Sequence, residues 1–124
     1  MQSSFENLIV WKKGILLVKS VYKITGLFPA SERYGLTDQL RRSSASILAN
    51  IAEGSARITN ADKSHKYTIA RGECTEVEAL ILLSMELGLL KKSEHESLIA
   101  MIQEVGRMLS GLIRSFHQKT VSVS

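Results

Sequence analysis

Little in this chain could do covalent or metal chemistry. It has one cysteine, Cys74, so no intrachain disulfide can form, and a reducing cytoplasm is the expected compartment. Only three histidines occur, His65, His95 and His117, and none is spaced as His-x-x-His, His-x₃-His or Glu-x-x-His. Zinc and di-iron bundle sites therefore lack their usual ligands. There is no glycine-rich phosphate loop. No apolar run approaches the roughly 20 residues that span a bilayer, so no membrane association is expected. The N-terminus lacks the basic stretch and apolar core of a secretion signal. The single proline, Pro29, and the absence of strand-like alternation argue against a β fold.

What the chain does have is enough apolar content for one core. Its 124 residues, 44% hydrophobic and 23% charged, suit a single globular domain spanning 1–124. Mean hydropathy is +0.04, which argues against disorder. The net charge of +4 is unevenly spread. Residues 1–71 hold 11 Lys/Arg against 5 Asp/Glu; residues 72–124 hold 5 against 7. That asymmetry hints at an anionic partner for one face, although ordinary surface charge accounts for it equally well.

Apolar residues recur at helical spacing throughout. Leu8, Trp11, Ile15, Val18 and Tyr22 predict one face of a helix over about 5–25, stopped by Gly26 and Pro29. Leu36, Leu40, Ile47 and Ile51 mark a second over about 31–56. Tyr67, Ala70, Cys74, Val77, Ile81 and Ser84 mark a third over about 60–87, capped by Thr59 or Asn60 and ended by Gly88. Ser93 to Glu96 has the form of a capping box. It opens a fourth over about 94–117, with Leu98, Ile102, Val105, Leu109, Leu112 and Phe116 on its stripe and a frayed tail from Lys119. Four amphipathic helices with short connections predict an all-α, antiparallel, up-down-up-down four-helix bundle. Further leucines, Leu80, Leu83, Leu87 and Leu90, exceed what one core needs and suggest cover by another subunit.

The second helix is unusual. On a wheel of 100° per residue, Ala45, Ala49, Ala52 and Ala56 share one sector. Gln39, Arg42, Ser46, Asn50, Glu53 and Arg57 share another. Between Leu36 and Ala56 only Asp38, Arg41, Arg42 and Glu53 are charged. A helix with a free solvent face normally carries more charge. The polar row reads as packing and assembly polarity or as a ligand-binding surface. Arg42 and Glu53 lie three turns apart and cannot pair with each other. Glu76 or Glu78 is the expected partner of Arg42, and Arg71 that of Glu53.

The remaining candidates divide in two. Cys74 sits on an apolar stripe, as a packing thiol would. Glu73, Glu76 and Glu78 have no accompanying histidine and read as salt-bridging or solvated carboxylates rather than as acid–base pairs. Basic residues form two series. Lys12, Lys19 and Lys23 recur at i, i+7 and i+11; Arg57, Lys63, Lys66 and Arg71 surround the junction of the second and third helices. Either could follow a phosphate backbone. Trp11, Tyr22 and Tyr67 fall on core stripes, which leaves no aromatic platform for bases. RNA or DNA binding would then be led by the backbone and weakly sequence-specific. Solvated lysines are the plain alternative.

Several segments together carry a family resemblance. They are Val10-Trp11-Lys12-Lys13, residues 28–36 (Phe-Pro-Ala-Ser-Glu-Arg-Tyr-Gly-Leu), Gln39 to Arg42, residues 46–54 with the block Asn50-Ile51-Ala52-Glu53-Gly54, and Ile69 to Gly72. Over roughly residues 5–116 the chain resembles the four-helix-bundle proteins encoded in 23S ribosomal RNA intervening sequences. Ser43 and Ser44 depart from a usual pair of small apolar residues, Leu48 from a common proline, and Glu73 from serine. The resemblance implies a ring-like homo-oligomer, a pentamer. That family is similar to the basic pentameric accessory protein of diversity-generating retroelements, which works with a reverse transcriptase and nucleic acid. The resulting expectation is a protein that is not an enzyme and needs no cofactor. It would be an oligomeric nucleic-acid-binding or ribonucleoprotein accessory protein, or alternatively a scaffold docking a protein partner such as a polymerase.

Overall fold

The computed structural model describes residues 4–123, with side chains over 5–119. It is all-helical: α1 (Ile9–Thr25), α2 (Leu36–Ala56), α3 (Asn60–Glu86) and α4 (Lys92–Val123), with 3-10 turns at Ser4–Asn7 and Ala30–Glu32. No strand occurs among the described residues. Helices α3 and α4 pack most extensively, then α2 and α3, while α1 lies against α2 and α4.

The ends of the helices follow local chemistry. At the start of α3, the Asp62 backbone N–H donates to Thr59 Oγ1 at 3.1 Å, so Thr59 is the cap. Gly88 adopts a left-handed φ of 75° and closes α3. Its N–H donates to the Met85 carbonyl and that of Leu89 to the Ser84 carbonyl, which satisfies two orphan acceptors. Helix α2 starts five residues later than the periodicity suggests. Pro29 and the turn at Ala30–Glu32 precede it, and the Glu32 carboxylate accepts from Leu36 N at 3.3 Å. Helix α4 starts at Lys92, and there it is Glu94 that reaches back, accepting from Lys91 N at 2.8 Å. Ser93 and Glu96 therefore do not form the expected capping box. The helix continues past Lys119 to Val123.

The core joins the predicted stripes of α2, α3 and α4. Ile47, Ile51, Ala70, Val77, Ile81 and Leu109 are fully enclosed. Leu112 and Phe116 pack at its edge. For α1 the periodicity misplaces the stripe. The buried face is Val10, Gly14, Leu17, Val21 and Thr25. Trp11, Ile15 and Val18 are half-buried beside it, and Tyr22 is exposed under the Arg41 guanidinium at 4.6 Å. This helix is apolar on more than one side, so helical spacing fits at two phases. Gly14 decides between them: a Cβ there would lie 2.7 Å from Leu48 Cδ2, the side chain that occupies the space. Ser43 and Ser44 are buried, and their hydroxyls donate to the carbonyls of Gln39 and Arg41.

Gly54 allows a second close approach. A Cβ there would lie 2.7 Å from the Tyr67 ring and 3.2 Å from Lys66 Cβ. The Tyr67 ring is itself enclosed and has no room to retreat. Gly54→Ala should therefore destabilise by about 1–3 kcal/mol, despite alanine's better helix propensity. The midpoint of urea denaturation measures this, and an unchanged midpoint would show that the contact is soft.

Candidate nucleic-acid interface

Lys12, Lys19 and Lys23 all project from the side of α1 opposite its buried stripe, and all are exposed. Eleven residues of helix separate the first from the last, about 16 Å along the axis. None has a carboxylate within ion-pair distance among the described residues, whereas their neighbour Lys13 is paired with Glu104 of α4 at 3.3 Å. The row is therefore a line of uncompensated cations.

The second basic series does not hold together as one surface. Lys63 turns back onto α2, donating to the Ser55 carbonyl at 2.8 Å and more weakly to that of Gly54. It thus satisfies the end of that helix. Lys66 pairs with Glu53 at 2.9 Å, and its hydrogen bond and charge hold the Glu53 carboxyl below the usual carboxylate range. Arg57 is exposed beside Asp62, His65 and Lys66 in a shallow depression. Arg71 leaves the group for α4, where its Nε donates to Ser110 Oγ at 3.2 Å.

The polar row of α2 faces α3 along an open groove lined by Asp38, Gln39, Arg42, Ser43, Ser46, Glu73 and Glu76. Its ion pairs differ from those expected. Arg42 pairs with Asp38 one turn away at 3.6 Å, not with Glu76 or Glu78. Glu53 pairs with Lys66, not with Arg71. Gln39, Arg42 and Glu53 are exposed, so short local partners suffice and no buried charge demands a distant one. Asn50 donates to the Ser46 carbonyl at 2.9 Å. Burial raises the Glu73 pKa, and the adjoining Glu76 adds to the shift through a hydrogen bond and its charge. Ala45, Ala49 and Ala56 look outward from the single chain.

Four of the five residues of the 50–54 block thus have a local task. Asn50 braces α2, Ile51 fills the core, Glu53 ties α2 to α3, and Gly54 admits the Tyr67 ring. The family model for 23S rRNA-intervening sequence proteins matches residues 6–111. This chain belongs to that family. The fold is shared with a crystal structure, at 1.70 Å resolution, of a protein with unknown function from the S23 ribosomal protein family of Bacteroides thetaiotaomicron. The likeness has a TM-score of 0.79 at 23% identity and covers 86% of this chain and 96% of the other. No curated protein matches the chain. No helix among the described residues is long and apolar enough to cross a membrane.

Within this intervening-sequence protein, Cys74 is 1% exposed, and burial pushes its thiol up to about 12. A thiolate is the reactive form, so Cys74 should be inert toward a disulfide reagent at pH 8 in the folded protein and react fully in denaturant. Stoichiometric labelling of the native protein within minutes would contradict its burial.

Two features escaped the sequence reading. Arg41 closes α1, donating to Thr25 Oγ1 at 3.0 Å and the Tyr22 carbonyl at 3.2 Å. A cation at a helix C-terminus is favoured by the helix dipole. Arg107 and Arg114 are exposed on α4, in the half of the chain whose net charge is negative. Averaging charge over halves concealed them; their spacing about Ser110 was the available signal.

Proposed function

We propose that this protein is a non-catalytic, homo-oligomeric accessory protein that binds RNA or DNA through the phosphate backbone. The observation that carries this reading is the α1 row, in which Lys12, Lys19 and Lys23 are exposed, aligned and free of carboxylate partners among the described residues. Lysines that keep their full charge release counterions from nucleic acid when they bind it. The buried thiol fits the non-catalytic part, since burial raises its pKa and disfavours the reactive thiolate.

In this reading the bundle is antiparallel, up-down-up-down. Contacts such as Glu53–Lys66 and Ser55–Lys63, across the short connection from Arg57 to Thr59, support that course. Protomers join through the outward alanines of α2, the exposed Leu82 and Leu83 of α3 and Leu87 at its C-terminal end into a ring, a pentamer by family resemblance. A ring repeats the lysine row and multiplies weak contacts.

The test is fluorescence anisotropy of a labelled 20-nucleotide RNA. Charge reversal at Lys12, Lys19 and Lys23 should sharply weaken binding at 50 mM salt. The exposed leucines also support a second reading, a scaffold for a protein partner such as a polymerase. A charge-reversed variant that still engages its protein partner, together with a native protein that ignores RNA, would favour the scaffold.

A further inference from the structure

On the α3–α4 side, Arg71 is a cation held in place without being neutralised. Its Nε donates to Ser110 Oγ at 3.2 Å and its Nη1 to Thr75 Oγ1 at 3.2 Å, both uncharged acceptors. The guanidinium packs over Gly106 of α4, in the space a Cβ would take: an added Cβ would come within 3.2 Å of its Cζ. No carboxylate is within ion-pair distance of it among the described residues. Two of its five N–H donors are spent on the anchor, and the rest stay available to an anion.

Arg107, Ser110 and Arg114 are spaced i, i+3 and i+7, which places all three on one side of α4. Each arginine lies about one turn from the serine that anchors Arg71. Both are exposed, and neither is ion-paired among the described residues. Of the nearby acids, Glu104 is paired with Lys13 on the α1 flank, and Glu78 lies about 10 Å further along α3 from Arg71. Arg107 and Arg114 thus lie one turn to either side of the serine that anchors Arg71, and none of the three guanidinium groups has a carboxylate within ion-pair distance among the described residues. Guanidinium binds phosphate oxygens in bidentate fashion and outperforms lysine there.

We propose that Arg71, Arg107 and Arg114 form a second phosphodiester-binding face for RNA, separate from the α1 lysine row. The inference rests on the nucleic-acid reading above and assigns it a site. The cations run along the α4 axis on an open face, an arrangement suited to a strand. Arg71 is pre-positioned, so less side-chain freedom is lost on binding.

The experiment measures binding of the full-length protein to a labelled U20 RNA across a salt series, with circular dichroism as the control for folding. R107Q/R114Q should weaken binding about tenfold at 50 mM salt and flatten the slope of log K against log salt by about 1.4, from roughly 0.7 per lost contact. S110A keeps every charge and frees Arg71, so affinity should fall a few-fold with the slope unchanged. Native RNA affinity in R107Q/R114Q, with affinity lost in K12Q/K19Q/K23Q, overturns this site and leaves the α1 reading intact. Absence of RNA binding by the native protein at 50 mM salt overturns both. A variant that loses only affinity for inorganic phosphate, with RNA binding unchanged, makes this a free-anion site and overturns the strand assignment.

Discussion

Ile81→Ala lowers the unfolding free energy by about 2–5 kcal/mol, as truncation of a fully enclosed aliphatic side chain should. Ile81 is fully enclosed on α3, the helix that packs on both α2 and α4. Removing its branched side chain loses transfer free energy and leaves a cavity that the surrounding helices cannot collapse around, because their own stripes are already interlocked. Thermal or urea unfolding followed by circular dichroism reads the change. A shift below about 1 kcal/mol would mean that the core is looser than its burial implies.

Ala49→Arg should leave the bundle folded and dissolve the assembly. Ala49 lies on the α2 face opposite Ile47 and Ile51 and is exposed in the single chain, so a long side chain meets no intramolecular neighbour. In the proposed assembly this face, with its small side chains, is where another backbone would approach. A guanidinium there would hold the surfaces apart and bury a charge without a partner, at a cost of several kcal/mol per interface. Light scattering should give an oligomer for the native protein and about 13.7 kDa for the variant. Equal masses for the two would place the interface elsewhere, and a monomeric native protein would remove assembly from the account.

Helices α2, α3 and α4 were legible because each presents one apolar stripe. The residues predicted for α3, from Tyr67 to Ser84, are those buried. Helix α1 was legible as a helix but not in rotation. Its apolar residues surround more than half the cylinder, and what fixes its phase is the fit of Leu48 against Gly14, a contact across 34 residues that no periodicity encodes. Polar partnerships were the least legible. Arg42 and Glu53 both take neighbours reachable from their own turn or the facing helix. Long side chains with many rotamers choose among several such partners on small energy differences. The lysine row was legible because it depends only on helical spacing and on the absence of acids beside it. The Arg71 site was not, since it depends on which way one side chain crosses to α4.

Salt titration of RNA binding to the native, full-length protein bears most directly on whether this bundle is a nucleic-acid partner. Three aligned lysines should give log K falling with log salt at a slope of about −2 or steeper, with binding lost well before 1 M. Affinity that is undetectable at 50 mM salt, or that ignores salt altogether, would contradict the account.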